Sequence, residues 1–172
     1  VAKSELDRAV VLAFDEVYQK NGSLNKKLSY MYVPNHYAYN VCGRHPKEFL
    51  FGASVHPYRP DALEQLEMVK ENGAVLVKLL PNSHGFDPGD KDLVPYYQTL
   101  VRLKLPLLLH TGYEHTIPVL KQSFGDPQRY RLLLDEGVTL IAAHAGSAGR
   151  FHLKETFGSF LKLTASYGNC FG

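Results

Sequence analysis

The chain has 172 residues, 45% hydrophobic and 21% charged, proportions of an ordinary globular domain that exclude wholesale disorder and a coiled coil. Lys and Arg number 19 against 17 Asp and Glu, and a net charge of +2 gives no reason to expect a nucleic-acid or acidic-membrane partner. Two cysteines, Cys42 and Cys170, cannot build a disulfide framework or a Cys-type zinc site and leave the redox compartment open, and no run approaches the ~20 apolar residues of a membrane span. The sequence starts at Val1 without an initiator Met or a signal pattern and stops at Cys170-Phe171-Gly172, after a turn. It reads as an internal segment of a longer chain, with residues 1–172 as part of a single domain.

In chain order, the first apolar run is Ala9–Phe14, and the next is Phe49–Val55. Pro60 and Asp61 then open a helix with Leu63, Leu66 and Val69 on one side, which Asn72-Gly73 closes. The third run is Ala74–Leu80. A helix over Asp92–Leu103 follows, placing Leu93, Tyr97 and Leu100 at i, i+4 and i+7. After the fourth run, Leu107–His110, Asp126-Pro127 caps another helix and Gly137 sits at its C′ position. The fifth run is Thr139–His144. Continuous apolar runs are what strands buried on both faces look like, and strand alternating with helix means parallel βαβ units.

About one βαβ step of ~30 residues separates Lys78 from His110 and His110 from His144. Strands so spaced suit an open doubly wound sheet or part of a (β/α)8 barrel. Asp15-Glu16-Val17-Tyr18 stands after the first strand where a nucleotide-binding sheet would carry a glycine-rich loop. A complete barrel typically needs ~250 residues, so about two thirds of one is present.

The strongest chemical signal is a repeated strand ending, His110-Thr111-Gly112 and His144-Ala145-Gly146. An imidazole at the C-terminal end of a barrel strand can supply a neutral nitrogen to a metal or act as an acid–base near neutral pH. The bland alternative is a core histidine bonded to a carbonyl, which two successive strands with the same pattern make less attractive. Lys78 lies inside an apolar strand, where an ammonium needs a carboxylate partner, a substrate anion, or carboxylation to bridge two metals. Glu114 and His115 follow on the loop after His110, and His56 follows the strand ending at Val55; loops in these places carry specificity. His36, His45, His84 and His152 have no supporting pattern and are read as surface residues. Tyr30, Tyr32, Tyr37 and Tyr39 read as a bulky helix face in core or interface packing.

Taken together, Gly52-Ala53-Ser54-Val55-His56-Pro57, Val77-Lys78-Leu79-Leu80-Pro81 with Gly85-Phe86-Asp87-Pro88, Pro106–Gly112 and Ala143-His144-Ala145-Gly146 resemble the amidohydrolase superfamily. The likeness is strongest to the metal-dependent TIM-barrel hydrolases that include the aminocarboxymuconate-semialdehyde-decarboxylase-like enzymes. It implies an α/β fold, an incomplete (β/α)8 TIM barrel holding strands two to seven, with Asn169-Cys170-Phe171 beginning the seventh. It implies further that His110 is a metal ligand and that His144 is a second ligand or the acid–base group beside a metal-bound water. The family's first-strand His-x-His pair and eighth-strand Asp are not in this sequence.

The expectation is therefore a metal-dependent hydrolase acting on an amide, ester or lactone-type bond. A non-oxidative decarboxylase of the same fold and a catalytically inactive binding barrel are the alternatives. His144 is the catalytic candidate and His110 and His144 the metal candidates, with Lys78, Glu114 and His56 as substrate-binding candidates. The cofactor is a divalent metal, zinc by expectation. Partners would be a small-molecule substrate and, if any protein, a second copy of the chain, with no nucleic acid or membrane and a cytoplasmic location.

Overall fold

The computed structural model describes residues 6–147 and 153–172. Six strands form one parallel sheet in sequence order: β1 (Ala9–Leu12), β2 (Phe49–Ala53), β3 (Leu76–Leu79), β4 (Leu107–His110), β5 (Leu140–Ala143) and β6 (Cys170–Phe171). Every neighbouring pair is parallel, and His110 stands in register with Ala143. Between the strands run α1 (Asn35–Arg44), α2 (Ala62–Glu71), α3 (Pro81–His84), α4 (Val94–Arg102), α5 (Arg131–Asp135) and α6 (Leu153–Ser166). This is the strand and helix order of a TIM barrel over six of its eight units.

Local chemistry explains the element ends. The Asp126 side chain accepts the Gln128 N–H, Pro127 starts the 3₁₀ turn that leads into α5, and Gly137 leaves that helix at a φ of 89°, open to glycine without strain. The Asp92–Leu103 expectation holds as a 3₁₀ turn, Lys91–Leu93, running into α4, with Leu93, Tyr97 and Leu100 buried. On α2 the stripe is Ala62, Leu66 and Val69, while Leu63 is 40% exposed; its position lies one residue outside the i, i+4, i+7 row that meets the sheet.

The core lies between the sheet and the helices, with Val77, Leu79, Leu107, Leu109 and Leu140 fully enclosed beside Leu66, Tyr97, Leu100, Tyr130 and Leu133. Each enclosed leucine contributes about 1.5–3 kcal/mol relative to exposure. The other face of the sheet is only partly covered. β3 is buried along its whole length, but burial alternates in β1 and β5, and Val10 and Leu12 reach across Gly52 toward Leu76 while remaining 38% exposed. The expectation of strands buried on both faces thus holds at the centre of the sheet and fails at its margins, where the described residues leave the inner face uncovered.

Two further expectations are corrected. Tyr30 and Tyr32 precede α1 and Tyr37 and Tyr39 lie on it, and all four are exposed, so the four do not share one helix face or pack in the core, although Tyr39 makes a ring-edge contact with Phe51. His36 and His45 are at the surface as expected and His152 lies outside the described residues, but His84 is completely buried. Among the described residues no helix is long and apolar enough to cross a membrane.

Candidate functional site

At the C-terminal ends of β3, β4 and β5 a cavity of about 430 Å³ is lined by Leu12, Phe14, Met31, Val33 and Ile117 on its apolar side and by Lys78, His110, Glu114 and His144 on its polar side. The strand ends thus bring together four of the five candidate residues. The imidazoles of His110 and His144 have centroids 4.9 Å apart.

Backbone-to-backbone packing brings the two rings together. Gly112 lies so close to the Gly146–Ser147 backbone that a Cβ on it would stand 3.1 Å from the Ser147 carbonyl, and a Cβ on Gly125 would stand 2.2 Å from the Gly112 carbonyl. The Gly112 N–H donates to the Gly125 carbonyl at 2.8 Å. Glycine two residues after each histidine lets the two strand-end loops stack without intervening side chains, which is the physical content of the repeated His-x-Gly ending.

His110 is nearly buried, with Nδ1 3.5 Å from the Glu114 carboxylate and Nε2 3.3 Å from the Tyr113 carbonyl. Burial lowers its pKa, more than the negative charge of Glu114 raises it. Burial by itself would raise the Glu114 carboxyl, but N–H bonds from Thr116 and Ile117 and the proximity of His110 bring it below the usual value. The Gln122 side chain clamps this loop, accepting the Glu114 N–H at 3.0 Å and donating to its carbonyl at 2.6 Å. Fully buried Asn82 donates to the Gly112 carbonyl at 3.1 Å. Sequence reading passed over Gln122 and Asn82, because nothing local separates an amide that clamps a loop from one that faces water.

Lys78 is enclosed on β3, and burial lowers its pKa to about 8 against the raising influence of Glu114. Among the described residues no carboxylate lies within ion-pair distance of its ammonium, so the carboxylate partner that the sequence leads one to expect is not found among them. His115 is exposed and stacks on Tyr113.

His56 does not join the cavity, a correction to its candidacy as a substrate contact. Its Nδ1 accepts the Tyr58 N–H at 3.1 Å and its Nε2 faces the His84 carbonyl at 3.0 Å, so both nitrogens are taken by backbone. His84 is held in the same way, between the Leu80 N–H and the Asp15 carbonyl. Burial lowers the pKa of His56 to about 4 and holds that of His84 well below the usual histidine value, so both are neutral core residues. Asp15 closes this cluster by accepting the His56 N–H at 2.7 Å and pairing with Arg59 at 3.2 Å; burial raises its carboxyl pKa. The cluster ties the ends of β1, β2 and β3 together behind the cavity.

Imidazole nitrogens are suitable ligands for zinc and similar divalent ions. Among the described residues no group of three His, Cys, Asp or Glu side chains is arranged to hold a metal ion, Glu114 beside His110 included, so the pair would hold one only with ligands from elsewhere and with the His110 Nε2 released from the Tyr113 carbonyl.

A parallel sheet wound in sequence order, with convergent polar side chains at the C-terminal strand ends, defines an α/β protein of the TIM-barrel class. Residues 13–166 match the amidohydrolase family, and the chain belongs to it. No curated protein sequence matches the chain. Among solved structures, an uncharacterized TIM-barrel protein from Bordetella bronchiseptica superposes on 95% of this chain and 53% of its own, with a TM-score of 0.72 and 15% identity. A 2,6-dihydroxybenzoate decarboxylase, solved with 2,6-dihydroxybenzoate, superposes on 65% of this chain and 44% of its own, with a TM-score of 0.51 and 21% identity. At these identities the likeness is one of fold. The chain spans about half the length of the solved structures it matches.

Proposed function

We propose that this chain is part of a divalent-metal-dependent hydrolase that opens an amide, ester or lactone-type bond in a small molecule. His110 and His144 would be metal ligands, and His144 also the acid–base group. The observation that carries the reading is the approach of the two imidazoles to 4.9 Å at the ends of adjacent parallel strands in a chain of this family. Bound there, a divalent ion, zinc by expectation, would lower the pKa of a water toward neutrality and polarise the scissile carbonyl. His110, its pKa lowered by burial, keeps an unprotonated nitrogen at neutral pH, and Glu114 beside it orients the ring. Lys78 offers a cation to an anionic part of the substrate, and Leu12, Phe14, Met31 and Ile117 exclude water around its apolar part. A cytoplasmic location, a small-molecule substrate and, for any protein partner, a second copy of the chain belong to the same reading.

A second reading is favoured by Lys78. An enclosed ammonium that pairs with no carboxylate among the described residues, at a cavity with an apolar side, suits a substrate carboxylate, as non-oxidative decarboxylation requires. The fold neighbour named as a decarboxylase adds to that reading.

One experiment tests both. The full-length protein is dialysed against a mild chelator, analysed for metal, and assayed on nitrophenyl esters, lactones and benzoate-type carboxylates beside His110→Ala. Bound metal that His110→Ala loses, with turnover falling on the order of 100-fold, is the expected result. Release of carbon dioxide instead of ester or lactone cleavage selects the decarboxylase. Full-length protein that holds no metal and turns over nothing is a barrel that only binds, and overturns the proposal.

A further inference from the structure

The direction in which His144 points is not given by its strand. His110 is in register with Ala143, and side chains alternate along a strand, so the residue after Ala143 belongs on the helix side of the sheet. It faces His110 because the chain turns left-handed there: φ is 66° at His144, 50° at Ala145 and 70° at Gly146. Two of these three carry a Cβ, and an L-residue stays in this region only where its surroundings over-determine it.

Those surroundings can be named. The Ser147 N–H donates to the His144 carbonyl at 2.7 Å and closes the turn. The hydroxyl of Thr156, on α6, donates to the Gly146 carbonyl at 2.5 Å. Gly146 lies against the Thr156 backbone so tightly that a Cβ would stand 2.7 Å from its carbonyl, and on the other side Gly112 packs on Gly146 and Ser147. The turn is therefore gripped between the β4 loop and α6. Thr156 is buried and does not line the cavity that holds His110 and His144.

We propose that Thr156 is a positioning residue for His144: its hydroxyl holds the left-handed turn that aims the imidazole at His110. This rests on the reading of His144 as a ligand and acid–base group, and the test separates the two. Thr156→Val keeps the shape and removes the donor, and Thr156→Ser keeps the donor. Full-length, metal-free protein labelled with ¹⁵N-histidine is compared by long-range ¹H–¹⁵N spectra, with His144 assigned by its loss in His144→Ala. The expected result is that Thr156→Val moves the His144 ring signals, leaves those of the buried His56 and His84 in place, and that Thr156→Ser restores the native spectrum. Titration with zinc alone should show affinity lowered on the order of 10- to 100-fold in Thr156→Val and recovered in Thr156→Ser, the range expected for a supporting residue behind a metal ligand. An unmoved His144 signal in Thr156→Val overturns the proposal. So does a Ser variant as disturbed as the Val variant, or a shift of His56 and His84 together with His144, which marks general loosening. If the wild type binds no zinc, the metal reading falls and the histidine spectra still decide the role of Thr156.

Discussion

At the residue scale, Lys78 carries the sharpest consequence. Its pKa falls from 10.5 to about 8 on burial in the folded protein. Between these values the unfolded chain binds a proton that the folded protein does not, so this residue makes stability rise with pH from about 8 to 10.5. Below about pH 8 the full penalty is present, on the order of 3 kcal/mol for a shift of this size. Lys78→Met should therefore raise the denaturant midpoint at pH 7, with a gain of about 2–3 kcal/mol that shrinks toward zero near pH 10.5. Urea titrations of both proteins at intervals from pH 7 to 10 check this, and a constant difference across that range would contradict it. The same residue shows what sequence reading can reach. A lysine inside an apolar run is visible as an anomaly, whereas its distance from Glu114 is set by the geometry of the loop that carries that carboxylate.

At the element scale, the strands and most helix ends were legible because they rest on local chemistry: apolar runs, Asp126-Pro127, and Gly137 after α5. The histidine pair was legible too, through its repeated His-x-Gly ending. Less legible was why the glycines are there, since Gly125 stands far along the chain from both histidines and reveals its part only when the loops are stacked. His84 was misread as a surface residue because its burial comes from long-range packing against Phe14 and His56, which leave no pattern beside it in sequence. The glycines supply a comparison within one molecule. Gly125→Ala would press a Cβ to 2.2 Å from the Gly112 carbonyl and 2.9 Å from Asn82 Nδ2, whereas a Cβ on Gly158 in α6 meets nothing within 4 Å. Gly125→Ala should cost about 1–3 kcal/mol of stability through overpacking. Gly158→Ala should add about 0.5–1 kcal/mol, because alanine is the better helix former and restrains the unfolded chain. Chemical denaturation of the two variants decides it; equal effects would mean that the loop stacking has room to give.

At the scale of the whole molecule, the sheet among the described residues is open at β1 and at β6, and each edge strand offers unpaired backbone groups along one side. Apolar side chains lie near both edges: Val10 and Leu12 on β1 and Leu6 before it, then Phe171 on β6 with Phe157 and Leu161 on α6. Unpaired parallel edges beside exposed apolar surface are templates for pairing with another chain. The 172-residue chain on its own should consequently self-associate in the micromolar to millimolar range, with a mass that rises with concentration in light scattering. Placing lysines at Val10 and Leu12 puts charge on the uncovered inner face beside the β1 edge and should suppress that association, as inward-pointing charges do at natural sheet edges. The outer face, where the helices pack on Val77, Leu79 and Leu107, is untouched by these changes, so the double variant should keep its far-ultraviolet circular dichroism. A chain that stays at one monomer mass up to about 100 μM would show that its edges are already protected. Association that persists unchanged in the double lysine variant would move the contact away from β1, to β6 and the Phe157–Leu161 side of α6.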